Sequence, residues 1–269
     1  MGRTKSKGTW SAKGVRCAVT VLAAVLALPG CAQAGGDGGD RDTPGKAGSS
    51  AAASPDPKPS ESYAAPAPED WTEPERWAAL PRGKRTDEHG SEVGFPHTTE
   101  GAVAALAASS NNTIEGNTSH VDEQLRLYYS YVAKADQSEA AAERVELGSI
   151  DNGKAISREM GLKPGAPMPP GAYMRSQVIG YQVIKKSDGE VSAWLLSRVT
   201  QKAGETVQER DDYARLLFGA KWEGDDWKLS VLATRHAQDA TDGKPRPKIV
   251  APGDAAFNSA GWTAIRQAS

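Results

Sequence analysis

Between residues 93 and 235 the apolar positions recur first at helical and then at strand spacing. Thr98 precedes TEGAVAALAAS, where Val103, Leu106 and Ala107 share one helical face. Ser119 opens SHVDEQLRLYYSYVAK, with Asp122 three residues on in a capping-box arrangement, and Val121, Leu125, Tyr128 and Val132 on one side. SEAAAERVEL predicts a third helix, and IDNGKAISREMG a short fourth from Asp151 to Gly161. The stretch NNTIEGNTS reads as a helix–helix loop ending at the Ser119 cap, although Asn111 and Asn117 each begin an Asn-X-Ser/Thr triplet. Pro164, Pro167, Pro169 and Pro170 then exclude helix, because proline lacks the N–H that a helix interior needs.

Beyond Gly171 the period becomes two. YMRSQVIGYQVIKK sets Ile179, Tyr181 and Val183 on one face, and Asp188-Gly189 signals a tight hairpin into VSAWLLSRVTQK. After AGET, DYARLLFGAKW aligns Ala214, Leu216, Phe218, Ala220 and Trp222. The turn EGDD leads to WKLSVLAT, with Trp227, Leu229, Val231 and Ala233 alternating inward. Helices followed by an antiparallel meander predict an α+β domain, residues 93–235, with N-terminal helices packed on one face of a curved four-stranded antiparallel sheet.

The flanks are of different material. Residues 1–16 carry five basic groups (Arg3, Lys5, Lys7, Lys13, Arg16) and no acidic one, and residues 17–30 are uncharged. That succession predicts a secretory signal peptide over residues 1–30, too short in its apolar part to span a bilayer. Leu28-Pro29-Gly30-Cys31 resembles a bacterial lipobox, which implies cleavage between Gly30 and Cys31 and a lipid on the Cys31 sulfur. Cys17, the other cysteine, lies in the removed segment, so no disulfide within one mature chain is left to Cys31. Over residues 32–70, 26 of 39 residues are Gly, Ala, Ser or Pro, a composition that buries too little to fold. Residues 31–70 therefore read as a lipidated, disordered tether, residues 71–92 as an irregular arm docking through Trp77 and Leu80, with Phe95 just beyond it. Residues 236–269 read as a tail docked in part through Phe257, Trp262 and Ile265.

Cleavage changes the charge. Of 32 basic and 34 acidic residues, 27 and 34 remain, a net of −7. A mildly acidic surface argues against nucleic acid as a partner, since phosphate binding needs clustered Lys and Arg. The expected location is the extracytoplasmic face of the cell membrane, the expected contacts the lipid on Cys31 and an envelope protein.

Catalytic motifs are missing. There is no phosphate-binding glycine loop, HExxH or GxSxG. His89, His97, His120 and His236 stand far apart, none with a second His at i+3 or i+4, so neither a metal nor another cofactor is expected.

The order of elements, with the closing hairpin KWEGDDWKLSVL, resembles the cone fold of the nuclear transport factor 2-like superfamily. The start GFPHTTEGAVAAL looks like an uncharacterised domain of exported actinobacterial proteins, and a similar fold forms extracellular domains of conjugation-channel proteins. The resemblance covers residues 93–235, and its motifs are structural. It implies two readings. In one, the domain is a non-catalytic interaction module facing an envelope or DNA-transfer apparatus. In the other, it binds or transforms a small molecule as cone-fold isomerases and dehydratases do, with His120, Tyr128, Tyr181, Asp211 and Asp212 as counterparts of their acid/base groups. A cone filled by Leu, Tyr and Trp favours the module; a cavity lined by a buried carboxylate or His favours the pocket.

Overall fold

The computed structural model describes residues 68–266. The expected signal peptide, Cys31 and the expected tether up to residue 67 lie outside the described residues.

Helix α1 (Thr99–Ala108) starts where Thr98 accepts a hydrogen bond from Gly101 N at 3.0 Å. Gly101–Ala107 are all buried, and small side chains make that depth attainable. A Cβ on Gly101 would lie 1.9 Å from Pro96 O, so only glycine fits this approach. Helix α2 (His120–Tyr131) is capped by Ser119 Oγ, which accepts from Asp122 N at 3.3 Å. Helix α3 (Glu139–Glu159) is one 21-residue element where the sequence suggested two. Gly148, Asp151, Asn152 and Gly153 weaken its middle intrinsically. Burial of Ala141, Val145, Ser149 and Ile156 along one side holds it continuous.

Four strands form the expected meander: β5 (Ala172–Lys186), β6 (Glu190–Ala203), β7 (Arg210–Glu223) and β8 (Asp226–Leu229), each antiparallel to the next. Gly224 and Asp225 both take positive φ (57° and 64°), the backbone that a tight β7–β8 hairpin requires. The sheet is larger than four strands. Three short strands, β1 (Trp77–Ala78), β4 (Asn112–Glu115) and β9 (Thr263–Ile265), join it, giving the order β1-β9-β5-β6-β7-β8 with β4 also on β5. Strand β4 (Asn112–Glu115) occupies part of the presumed helix–helix loop and pairs antiparallel with β5. Strand β9 (Thr263–Ile265) pairs antiparallel with β5 and parallel with β1 (Trp77–Ala78), so both chain flanks extend the sheet. Strands β2 (Arg85–Thr86) and β3 (Glu92–Val93) make a separate hairpin in the arm.

The segment WKLSVLAT is not strand throughout. Leu229 ends β8, and Ser230 caps helix α4 (Val231–Thr241) by accepting from Ala233 N at 3.4 Å. Val231 and Ala233 are thus helical residues, and the alternation through them was accidental.

Cover is also needed on both faces of the sheet, not one. Leu195, Phe218 and Trp227 pack with Leu127 and Tyr128 of α2 in the core beneath α1 to α3. The neighbouring positions Trp194, Leu196 and Tyr213 point the other way, where Val250, Phe257 and Trp262 of the C-terminal segment close over them. Helix α5 (Ala255–Ser259) supplies the Phe257 plug, which is fully buried. In the arm, Trp77 packs on this second core, while Leu80 and Phe95 pack on the first.

Candidate functional site

The five acid/base candidates occupy different places, and no hydrogen bond joins any two of them. Tyr128 is completely buried; its hydroxyl accepts from Ser138 N at 2.9 Å and donates to Ser138 O at 3.3 Å. That phenol pegs α2 to the start of α3. Tyr181 packs on the first core, and burial raises its pKa, so it is a neutral phenol. Asp211 accepts from Thr200 Oγ1 on the paired strand. Asp212 faces the Arg210 guanidinium at 3.0 Å, and Arg210 also pairs with Glu159 at the end of α3. The ERDD run therefore fastens α3 to β7.

The other histidines each have a local partner. His97 stacks on Trp222 with ring centroids 4.0 Å apart, His89 stacks on Tyr129, and His236 Nδ1 lies 3.0 Å from Glu190. Among the described residues no group of three His, Cys, Asp or Glu is placed to hold a metal, and no helix is long and apolar enough to cross a membrane.

His120 differs from the rest, because it borders a cavity. A half-open cleft of about 370 Å³ lies between the β4–α2 loop, one side of α3 and the loop at residues 165–168. Ile114, Ile156, Pro167, Met168 and Met174 form most of its apolar wall, with Ser149, Lys154 and Ser157 among its polar members. Strand β4 and helix α3 build it together. Ile114 points inward from β4, and Ser149/Ile150, Gly153/Lys154 and Ile156/Ser157 recur on one side of α3. The imidazole lies against Gly153, where a Cβ would sit 3.5 Å from His120 Cδ2, and its Nε2 is 3.0 Å from Asn152 Nδ2.

Desolvation lowers the His120 pKa below its ordinary 6.5, against a smaller opposing effect of Glu123. The folded chain therefore takes up this proton at lower pH than the unfolded chain does. The contribution of the neutral ring is complete above about pH 6.5 and is lost as pH falls from there toward the folded value. We expect thermal melts of His120→Gln to lose less stability than the parent between about pH 7 and 5. Equal slopes would show that His120 titrates as though unfolded.

Sequence reasoning found His120 but not its surroundings. Asn112 and Gln124, both buried polar residues, went unremarked, as did the α3 face, because the helix was cut in two where the cleft is lined. The spacing 149, 153, 156 was the available signal. Comparison of the chain with protein-family models, with curated proteins and with solved structures finds no match.

Proposed function

We propose that this chain is a lipid-anchored, extracytoplasmic protein whose folded domain binds a partner and catalyses nothing. Its anchor is the lipid on Cys31, and the partner is a protein of the envelope or of a DNA-transfer apparatus. The meander β5–β8 with α1 to α3 against it is the part that suits a cone-like, nuclear transport factor 2-like reading. The observation that carries the non-catalytic reading is the filled space between these helices and the sheet. Leu127, Tyr128, Leu195, Phe218 and Trp227 are each no more than 2 % exposed. That is where a cone-fold enzyme would need room for substrate, and tightly packed side chains leave none. Tyr128, Tyr181, Asp211 and Asp212 are instead engaged in packing or in pairs that join elements, and His120 borders a cleft apart from this core, with none of the other four beside it. On α3, Leu147 is exposed, and Ile150 three residues on is exposed at the border of the cleft, an apolar contact for a partner.

A strain lacking the gene, complemented with variants, tests this. Asp211→Asn and Tyr181→Phe should restore the phenotype fully, while Cys31→Ala should not. Failure of either acid/base variant with its melting temperature unchanged would replace the binding role by a catalytic one.

A further inference from the structure

The cleft beside His120 lies near buried polar groups that the protein itself leaves unmet. Among the described residues six buried side-chain atoms have no hydrogen-bond partner. Two are Ser192 Oγ and Arg198 Nε on β6; the other four are Asn112 Oδ1, His120 Nδ1, and Gln124 Oε1 and Nε2. Asn112 shares the inward side of β4 with Ile114, which lines the cleft. Gln124 stands one turn beyond His120 on the same side of α2, fully buried. His120 thus lines the cleft itself, and Asn112 and Gln124 stand behind it, two residues along β4 from Ile114 and one turn along α2 from His120. A buried amide without a partner loses its water and gains nothing, so an apolar residue at 124 would suit the fold better. Its presence beside an apolar cleft calls for an occupant that brings hydrogen bonds with it.

We propose that this cleft binds an uncharged small molecule with an apolar body and one amide or hydroxyl end. The body lies against Ile114, Ile156, Met168 and Met174, and the polar end reaches toward His120 and Gln124. The volume of about 370 Å³ is that of a small-ligand site, and its largely apolar wall with a few convergent polar groups is the usual make-up of one. Gln124 presents both a donor and an acceptor, the pair that an amide or hydroxyl answers at one point. Charge is disfavoured. Lys154 is the charged member of the lining, and its Nζ already faces Asp151 Oδ1 at 3.6 Å. The His120 ring is held neutral by burial. A carboxylate at the His120 end would give up its water with no cation beside it. This site goes beyond the tethered-module reading and does not depend on it.

Octanamide, 1-octanol and octanoate share one body and differ in the head, so titrating them distinguishes the elements of the proposal. The protein is the full chain carrying Cys31→Ser, which needs no detergent. Calorimetry at neutral pH should give saturable binding of octanamide and 1-octanol, with octanoate about tenfold weaker or more, the factor of one lost hydrogen bond. Gln124→Leu should weaken octanamide about tenfold while its melting temperature holds or rises. Ala166→Trp, in the loop at the edge of the cleft, should abolish binding of both in a protein that melts as the parent does. Three results would overturn the proposal. They are no heat from octanamide at millimolar concentration, octanoate binding as tightly as octanamide, or binding indifferent to both substitutions. The first would leave ordered water as the sole partner of Gln124. None of them touches the role of Cys31 or the complementation result.

Discussion

Phe218→Ala is expected to destabilise the domain by about 3–5 kcal/mol, a large part of the ~5–15 kcal/mol that holds a domain folded. Phe218 lies in the middle of β7, 2 % exposed, opposite Ala193 of β6. The small side chain at 193 leaves the ring to fill the space beneath the helices, among Leu127, Tyr128, Leu195 and Trp227. Truncation removes the transfer free energy of the ring and leaves a cavity. Strand β6 is paired on both sides and holds β7 along its length, so the sheet cannot collapse into it. Chemical denaturation with both variants in parallel measures the difference. A loss below about 1 kcal/mol would mean that the core is loosely packed there, and that space for a substrate remains.

Gly219→Ala should cost nearly as much for the opposite reason. Residue 219 faces away from Phe218, toward α4, and a Cβ there would stand 2.3 Å from Ala233 C and 2.5 Å from Ala233 O. These are backbone atoms of a helix held on both sides of the contact. Gly219 N donates to Thr234 Oγ1 at 2.9 Å, and Gly219 O accepts from Ser230 N at 2.9 Å. The helix must be displaced and those bonds broken to admit one methyl group. The expected cost is at or above the upper end of the ~1–3 kcal/mol typical of overpacking. Gly204→Ala is the matched control, since nothing lies within 4 Å of a Cβ at that turn. Equal melting temperatures for the two variants would show that α4 does not rest on β7 as described.

Local chemistry explains what was legible beforehand. Thr98 and Ser119 are caps whose side chains meet the N–H groups of their own helices, so the starts of α1 and α2 were readable. The turns at Asp188-Gly189 and Gly224-Asp225 likewise declare the hairpins. What was missed depends on partners distant in sequence. NNTIEGNTS has one large apolar residue, Ile114, and becomes strand only because β5 offers it an edge. Thr263–Ile265, within the tail expected to dock, likewise takes its strand partner from β5. WKLSVLAT alternates through Ala233, and nothing local outweighed that period except the Ser230 cap. The second face of the sheet was visible in Trp194 and Leu196, yet its cover comes from Val250–Trp262, beyond the expected domain end. As for the candidate site, one histidine was found. The cleft needed β4, an unbroken α3 and a proline-rich loop brought together, which no local pattern encodes.

The proposed location depends on Cys31, so the mature chain itself is the sample that tests it. Intact-mass and N-terminal peptide analysis of the full-length protein, expressed in a bacterium with lipoprotein processing and extracted from its membranes, should show a chain beginning at Cys31 and carrying a diacylglycerol on the sulfur. The Cys31→Ala variant should lack that mass and leave the membrane fraction. A wild-type chain that is unlipidated, or whose first residue is not Cys31, would contradict the anchor and with it the proposed place of action.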